Sequence, residues 1–182
     1  IDRAASTGRS AFDGRLTYGA AEGDEVDWDL FDIVSVNYYA YHARRREAYA
    51  DDLWCYRRWD KPVAITEFGS YEGAPQAGGM GWDVVDYTTQ PPTIDTSLVR
   101  SEEAQATYLT DVLTVFETLD LYAALVYEFV TPDAPHRPGD PRHDEDMASY
   151  GLVKAIWETD ESPGAWQWEP RQAFHAVADH FR

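Results

Sequence analysis

Apolar residues recur along this chain in two rhythms. Short runs of β-branched and aromatic residues bounded by Gly, Pro or Asp mark strands, and apolar positions three and four apart mark helices. The plainest strand is residues 32–39 (DIVSVNYY), followed by 61–69 (KPVAITEFG), entered through Pro62 and left through Gly69. Residues 123–130 (AALVYEFV) form another, residues 16–20 (LTYGA) a shorter candidate, and 150–153 (YGLV) a last apolar run. Between them lie helical stretches. Residues 1–12 read as the end of a helix closed by Asp13-Gly14, and 26–31 as a weak helical turn. Residues 43–59 place Ala48, Leu53 and Tyr56 near one face. Residues 101–119 carry a Ser101 N-cap, Glu102 and Glu103 at the positive end, and Tyr108, Val112, Phe116 and Leu119 at helical spacing. A closing helix runs from about Pro170 to Phe181, with Pro in the first turn.

The strands are short and mostly apolar, the signature of parallel strands buried on both faces. Their alternation with helices predicts right-handed β/α units. Long loops follow strands (residues 70–96 and 131–149), whereas helix-to-strand connections are short. In such folds the functional face lies at the carboxyl ends of the strands.

Composition narrows the classes. The chain has 182 residues, 44% hydrophobic, with 7 Trp, 12 Tyr and 7 Phe, so it is built to fold around a core. Its net charge of −18 opposes nucleic acid and anionic membrane as partners. No apolar run reaches the ~18 residues a membrane span needs, which points to a soluble protein. The single cysteine, Cys55, cannot form an internal disulfide and favours a reducing, cytoplasmic setting over secretion. Arg44, Arg45 and Arg46 sit where the helix dipole disfavours them and read as a solvated face. The start at Ile1, without Met or a targeting segment, reads as trimmed or as the inside of a longer protein.

Three strand ends carry chemistry. The first presents Asn37 and Tyr39 on one side, the second Glu67, the third Tyr127 and Glu128. A carboxylate at the mouth of an apolar strand is costly unless paired or hydrogen-bonded. Tyr39 on the neighbouring strand is placed to donate to Glu67; a rim arginine pairing with Glu67 is the structural alternative. In the loops, Tyr71, Trp82 and Tyr87 offer faces for sugar rings or simply pack the rim. The segment 136–146 holds His136, His143, Asp140, Asp144, Glu145 and Asp146 at spacings that match no metal motif, and reads as a solvated acidic loop. No phosphate loop or nucleophile elbow is present, and no cofactor is expected.

The run KPVAITEFG resembles the seventh strand of the clan-A glycoside hydrolases, retaining enzymes whose Glu at the Thr-Glu-Phe/Tyr-Gly position is the nucleophile. DIVSVNYY is similar to their sixth strand, ALVYEFV to their eighth, EEAQATYL to the helix between strands seven and eight, and YGLV with WEPRQAFHAVADHF to the closing segment. The resemblance covers essentially the whole chain. It implies one unit over residues 1–182: the C-terminal (βα)5–8 half of a TIM barrel, from helix four to helix eight, with parallel strands and helices outside. It further implies a carbohydrate substrate, Glu67 as nucleophile, Tyr39 as its hydrogen-bonding partner, and Asn37 and Tyr127 along the sugar site; Glu128 beside Tyr127 and Trp82 in the loop are further candidates for contact with the sugar.

The departures matter equally. Such enzymes carry their acid/base Glu after an Asn on strand four, and this chain contains no Asn-Glu pair. Where strand eight often ends in Trp, Tyr127 stands here beside Glu128. No motif supports Glu128 as the acid. The chain alone is therefore expected to be inactive, with the acid/base outside it. The alternative is a barrel-derived protein that has lost catalysis and acts in binding or regulation. A full barrel usually takes ~250 residues, so an N-terminal half-barrel or a second copy of the chain is the expected partner for the open sheet edges.

Overall fold

The computed structural model describes residues 1–39, 46–73, 79–157 and 166–182. By packing, these fall into two compact units. The first takes the described residues of Ile1–Ala40 and Arg44–Phe68 together with Thr114–Val126, and the second takes those of Gly69–Leu113 and Tyr127–Arg182.

The first unit is a parallel α/β layer. Helix α1 (Asp2–Ala11) precedes β1 (Gly19–Ala21); a 3-10 turn (Trp28–Leu30) leads to β2 (Val34–Asn37). Helix α2 (Arg46–Trp54) continues as a 3-10 turn (Cys55–Trp59) before β3 (Val63–Phe68). Arg44 and Arg45, expected in the first turn of that helix, lie outside the described residues. The last residues of helix α3 (Glu102–Thr118), from Thr114 on, then lead to β6 (Ala123–Val126). The sheet order is β1–β2–β3–β6, with every pairing parallel, as the apolar runs predict. Strands β1 and β6 are its edges.

Ala5, Ala20, Trp28, Phe31, Val34 and Val63 form one core cluster, and Phe68 meets Phe116 edge to face at 5.0 Å. The Lys61-Pro62 entry to β3 has a concrete role. Lys61 Nζ donates to the carbonyls of Trp28 (2.6 Å) and Phe31 (2.7 Å), satisfying the end of the 3-10 turn, and Pro62 O accepts from Val34 N at 2.9 Å.

The register of β3 is broken once. Val36 faces Ile65, yet Asn37 faces Glu67; on the other side Ile65 faces Ala124 and Phe68 faces Val126. Both neighbours thus count one residue fewer than β3 across Thr66-Glu67, which is a β-bulge. Its sign is two consecutive half-buried residues, Thr66 and Glu67, in a strand otherwise buried.

The second unit contains two antiparallel ribbons that the reading as β/α units does not foresee. Strand β4 (Val85–Asp86) pairs with β5 (Thr93–Ile94), and β7 (Val153–Trp157) with β8 (Trp166–Pro170). Ile94, Met147 and Ala148 form its small core cluster. Pro170 ends β8 rather than opening a helix, and α4 (Gln172–His180) starts two residues later. The reason is Arg171, which stays extended, donates its N–H to Leu152 O at 3.1 Å, and turns its guanidinium into the interior. The Ser101 cap of α3 is as expected: its Oγ accepts from Ala104 N at 3.1 Å. No helix among the described residues is long and apolar enough to cross a membrane.

Candidate active site

The first unit holds one group of polar residues at its strand ends. Asn37 ends β2 opposite Glu67, and Thr66 Oγ1 donates to Asn37 Oδ1 at 2.8 Å. Tyr38 N donates to Glu67 O at 2.8 Å, carrying the β2 pairing one residue beyond the strand. Tyr39, next along, places its hydroxyl 3.0 Å from Glu67 Oε2. That bond satisfies one carboxylate oxygen and turns the carboxyl plane, leaving Oε1 for another partner. Among the described residues no arginine reaches Glu67, so the structural alternative of a rim ion pair has no support there. Behind this layer the Tyr38 ring is buried and its hydroxyl donates to Asp52 Oδ2 at 3.2 Å.

The second unit holds the other expected residues around a cleft of about 230 Å3 lined by Trp82, Tyr87, Tyr127, Glu128 and Tyr150 among others. Trp82 enters it from a 3-10 turn (Gly81–Val84), fixed where Gly81 N donates to the Tyr150 hydroxyl at 2.9 Å. Tyr127 meets Tyr150 edge to face at 5.7 Å. The peptide between Tyr127 and Glu128 is cis. Glu128 is held by three contacts: its N–H reaches Tyr150 O (3.3 Å), its carbonyl accepts from Leu152 (2.9 Å), and Thr131 Oγ1 donates to its carboxylate (2.6 Å). Gly69, which closes the Thr-Glu-Phe-Gly run, packs so tightly that a Cβ there would run into the Tyr127 carbonyl. Of the two readings of Tyr71, a face for sugar or packing in the loop, the structure has the second: it is fully buried against Tyr150, and burial pushes its phenol up to about 12.

Structures of known proteins bear on this arrangement. The chain resembles the β-glucuronidase of Ruminococcus gnavus over 92% of its own length and 25% of that chain, with a TM-score of 0.53 and 18% identity. The same enzyme in complex with D-glucuronic acid gives 0.53 and 19%, covering 92% of this chain and 26% of that one. This chain shares its fold with part of a β-glucuronidase. A GH2 β-galacturonidase from Eisenbergiella tayi bound to glycerol aligns at a TM-score of 0.48 and 21% identity, over 84% of this chain and 24% of that one. The chain thus spans about a quarter of the length of these enzymes. No protein-family model matches the sequence, and no curated protein matches it significantly.

The segment 136–146 departs from its expected character. Asp144 and Asp146 are buried rather than solvated. Together with His136 they offer ligand atoms within 4.8 Å of one another, the one such group of three among the described residues. Guanidinium groups already occupy the acids, however. Arg100 lies 2.7 Å from Asp146 and 3.4 Å from Asp144, and Arg171 lies 2.5 Å from Asp146. His136 Nδ1 sits 3.1 Å from Asp144. These contacts form a structural ion network and leave the carboxylates neutralised by arginine.

Glu72 completes the network and was not legible as a site residue. It is fully buried, 3.3 Å from both Arg100 and Arg171, and its Oε2 has no hydrogen-bond partner among the described residues. Burial drives its carboxyl up to about 7 against the pull of Arg171 and Arg100. Nothing in its neighbours Tyr71 and Gly73 signals this; the signal lies in Arg100 and Arg171, far away in sequence.

Proposed function

We propose that this chain is part of a retaining glycoside hydrolase in which Glu67 is the nucleophile. The observation that carries the reading is the Tyr39–Glu67 hydrogen bond at the carboxyl ends of adjacent parallel strands. A tyrosine hydrogen-bonded to the glutamate is the contact that the resemblance to clan A implies between these positions. The fold likeness to part of a β-glucuronidase supports the same direction. The parallel sheet β1–β2–β3–β6 is read as the (βα)5–8 half of a barrel, with its edges completed by further strands from an N-terminal half or a second copy.

In that mechanism Glu67 Oε1 attacks the anomeric carbon while the glycosidic bond breaks. The leaving oxygen takes a proton from a second carboxyl group about 5–5.5 Å from the first. Tyr39 holds Oε2 and keeps the carboxylate aimed. Water then cleaves the glycosyl ester. Within the first unit Asn37 lies beside Glu67 to meet a sugar hydroxyl; within the second, Tyr127, Glu128 and Trp82 supply an aromatic and acidic surface of the kind sugars stack on.

A set of 2-deoxy-2-fluoroglycosyl fluorides, neutral and uronic, tests this without needing the acid. Fluoride leaves unprotonated, so a nucleophile alone suffices to form the glycosyl ester. The expected result is one sugar added per chain and located on Glu67 by peptide mapping, absent in E67Q. Failure of every fluoride to label Glu67 favours the second reading, a barrel-derived binding or regulatory protein. The absence of an Asn-Glu pair from the sequence is the observation on that side.

A further inference from the structure

The cleft around Glu128 is distinctive in charge as well as shape. Its walls are aromatic: Trp82 and Tyr87 remain 56% and 62% exposed, large ring faces presented to solvent. Its remaining polar lining includes three carboxylates, Glu128, Asp133 and Glu145, and among the described lining residues there is no lysine or arginine. Two of those carboxylates face one ring. The Tyr87 phenol is held above its ordinary range by burial and by the charges of Glu145 and Asp133. Glu145 is itself pushed up by burial, against the opposing pull of Arg137 and His143. The Glu128 carboxylate accepts from the neutral Thr131 hydroxyl at 2.6 Å, and among the described residues no cation is paired with it.

Each part of this lining selects a kind of ligand. A volume of about 230 Å3 is below the ~300 Å3 at which drug-sized sites begin, so it suits one ring rather than a chain. Aromatic faces attract a cation as well as apolar C–H groups. An ammonium brings three donors and a positive charge to carboxylates that have lone pairs to spare, giving short charge-assisted bonds. A neutral sugar gains only ordinary hydrogen bonds there, and an anionic sugar meets like charge from the lining carboxylates.

We infer that this cleft is a subsite for a sugar ring bearing an ammonium group, such as a 2-amino-2-deoxyhexopyranoside, with Glu128 as the anchor of the ammonium. The inference rests on the reading of the chain as carbohydrate-active and adds the substrate class. Titration of the full 182-residue chain near neutral pH with glucosamine, glucose, glucuronate and choline, followed by tryptophan fluorescence and calorimetry, tests it. Glucosamine is expected to bind roughly tenfold more tightly than glucose, and glucuronate more weakly than either. Added salt weakens glucosamine and leaves glucose unmoved, a readout that needs no variant. E128Q brings glucosamine down to the level of glucose; D133N gives the same comparison if E128Q does not fold. Glucosamine and glucose binding equally overturns the amine preference while leaving the carbohydrate reading intact. Choline binding without any sugar overturns the sugar subsite while the labelling of Glu67 decides the carbohydrate reading separately, and no binding by any of the four overturns the subsite itself.

Discussion

The hydroxyl of Tyr39 donates to Oε2 of Glu67 across 3.0 Å, joining the residue just beyond one parallel strand to the carboxylate near the end of the next. A hydrogen bond to a charged group is worth ~1.5–3 kcal/mol. If Glu67 is the nucleophile, Y39F slows its labelling by a glycosyl fluoride about 10–100-fold. Intact-mass kinetics measure the rate, and an unchanged rate removes Tyr39 from the mechanism.

Gly69 makes a different demand. Because a side chain there meets the Tyr127 carbonyl, a backbone group that cannot swing aside, G69A is expected to destabilise the protein by about 1–3 kcal/mol. The midpoint of urea unfolding reads this directly, and a midpoint equal to wild type contradicts the close packing. G23A, where a Cβ meets nothing within 4 Å, controls for the loss of a glycine, though its positive φ of 91° adds some strain.

Glu72 gives the protein a pH dependence of definite sign. Its carboxyl ionises at about 7 when folded and near 4.5 when free, so between those values the folded chain holds more protons than the unfolded one. Its stabilising share is fully present below pH 4.5 and is lost as pH rises through 7. The loss is on the order of 3 kcal/mol. E72Q flattens that decline, which thermal melts from pH 4 to pH 8 resolve; a wild-type slope in E72Q dismisses Glu72 as its source.

Arg171 offers the converse case. It is fully buried and serves both Glu72 and Asp146, so R171M leaves two buried carboxylates to share Arg100 alone. Removing one partner of a buried pair costs ~3–5 kcal/mol. Chemical denaturation of R171M is expected to show a loss of that size, with a smaller loss in the double variant R171M/D146N, where Arg100 has one carboxylate fewer to balance.

The sequence was most legible where a single strand or helix decides the outcome. The parallel strands, the Ser101 cap and the placement of Tyr39 against Glu67 follow from apolar period and side-chain parity, both local properties. The second unit was not legible for the opposite reason. Its ribbon β7–β8 pairs residues across a connection, and Arg171, Arg100, Glu72 and Asp146 meet from four separate stretches of chain. Tyr71 shows the same limit: an aromatic in a loop reads alike whether it faces solvent or, as here, is sealed against Tyr150.

The bulge at Thr66-Glu67 has a consequence for how such a site can change. Both neighbouring strands are one residue shorter across that point, so Glu67 faces its partners only because β3 carries the additional residue. Deleting Thr66 would keep every apolar residue before it in place and turn the residues after it to the opposite face. The long loops accept insertions at small cost. Diversification of this architecture is therefore channelled into loop length and composition, while the count of residues in one six-residue strand stays fixed.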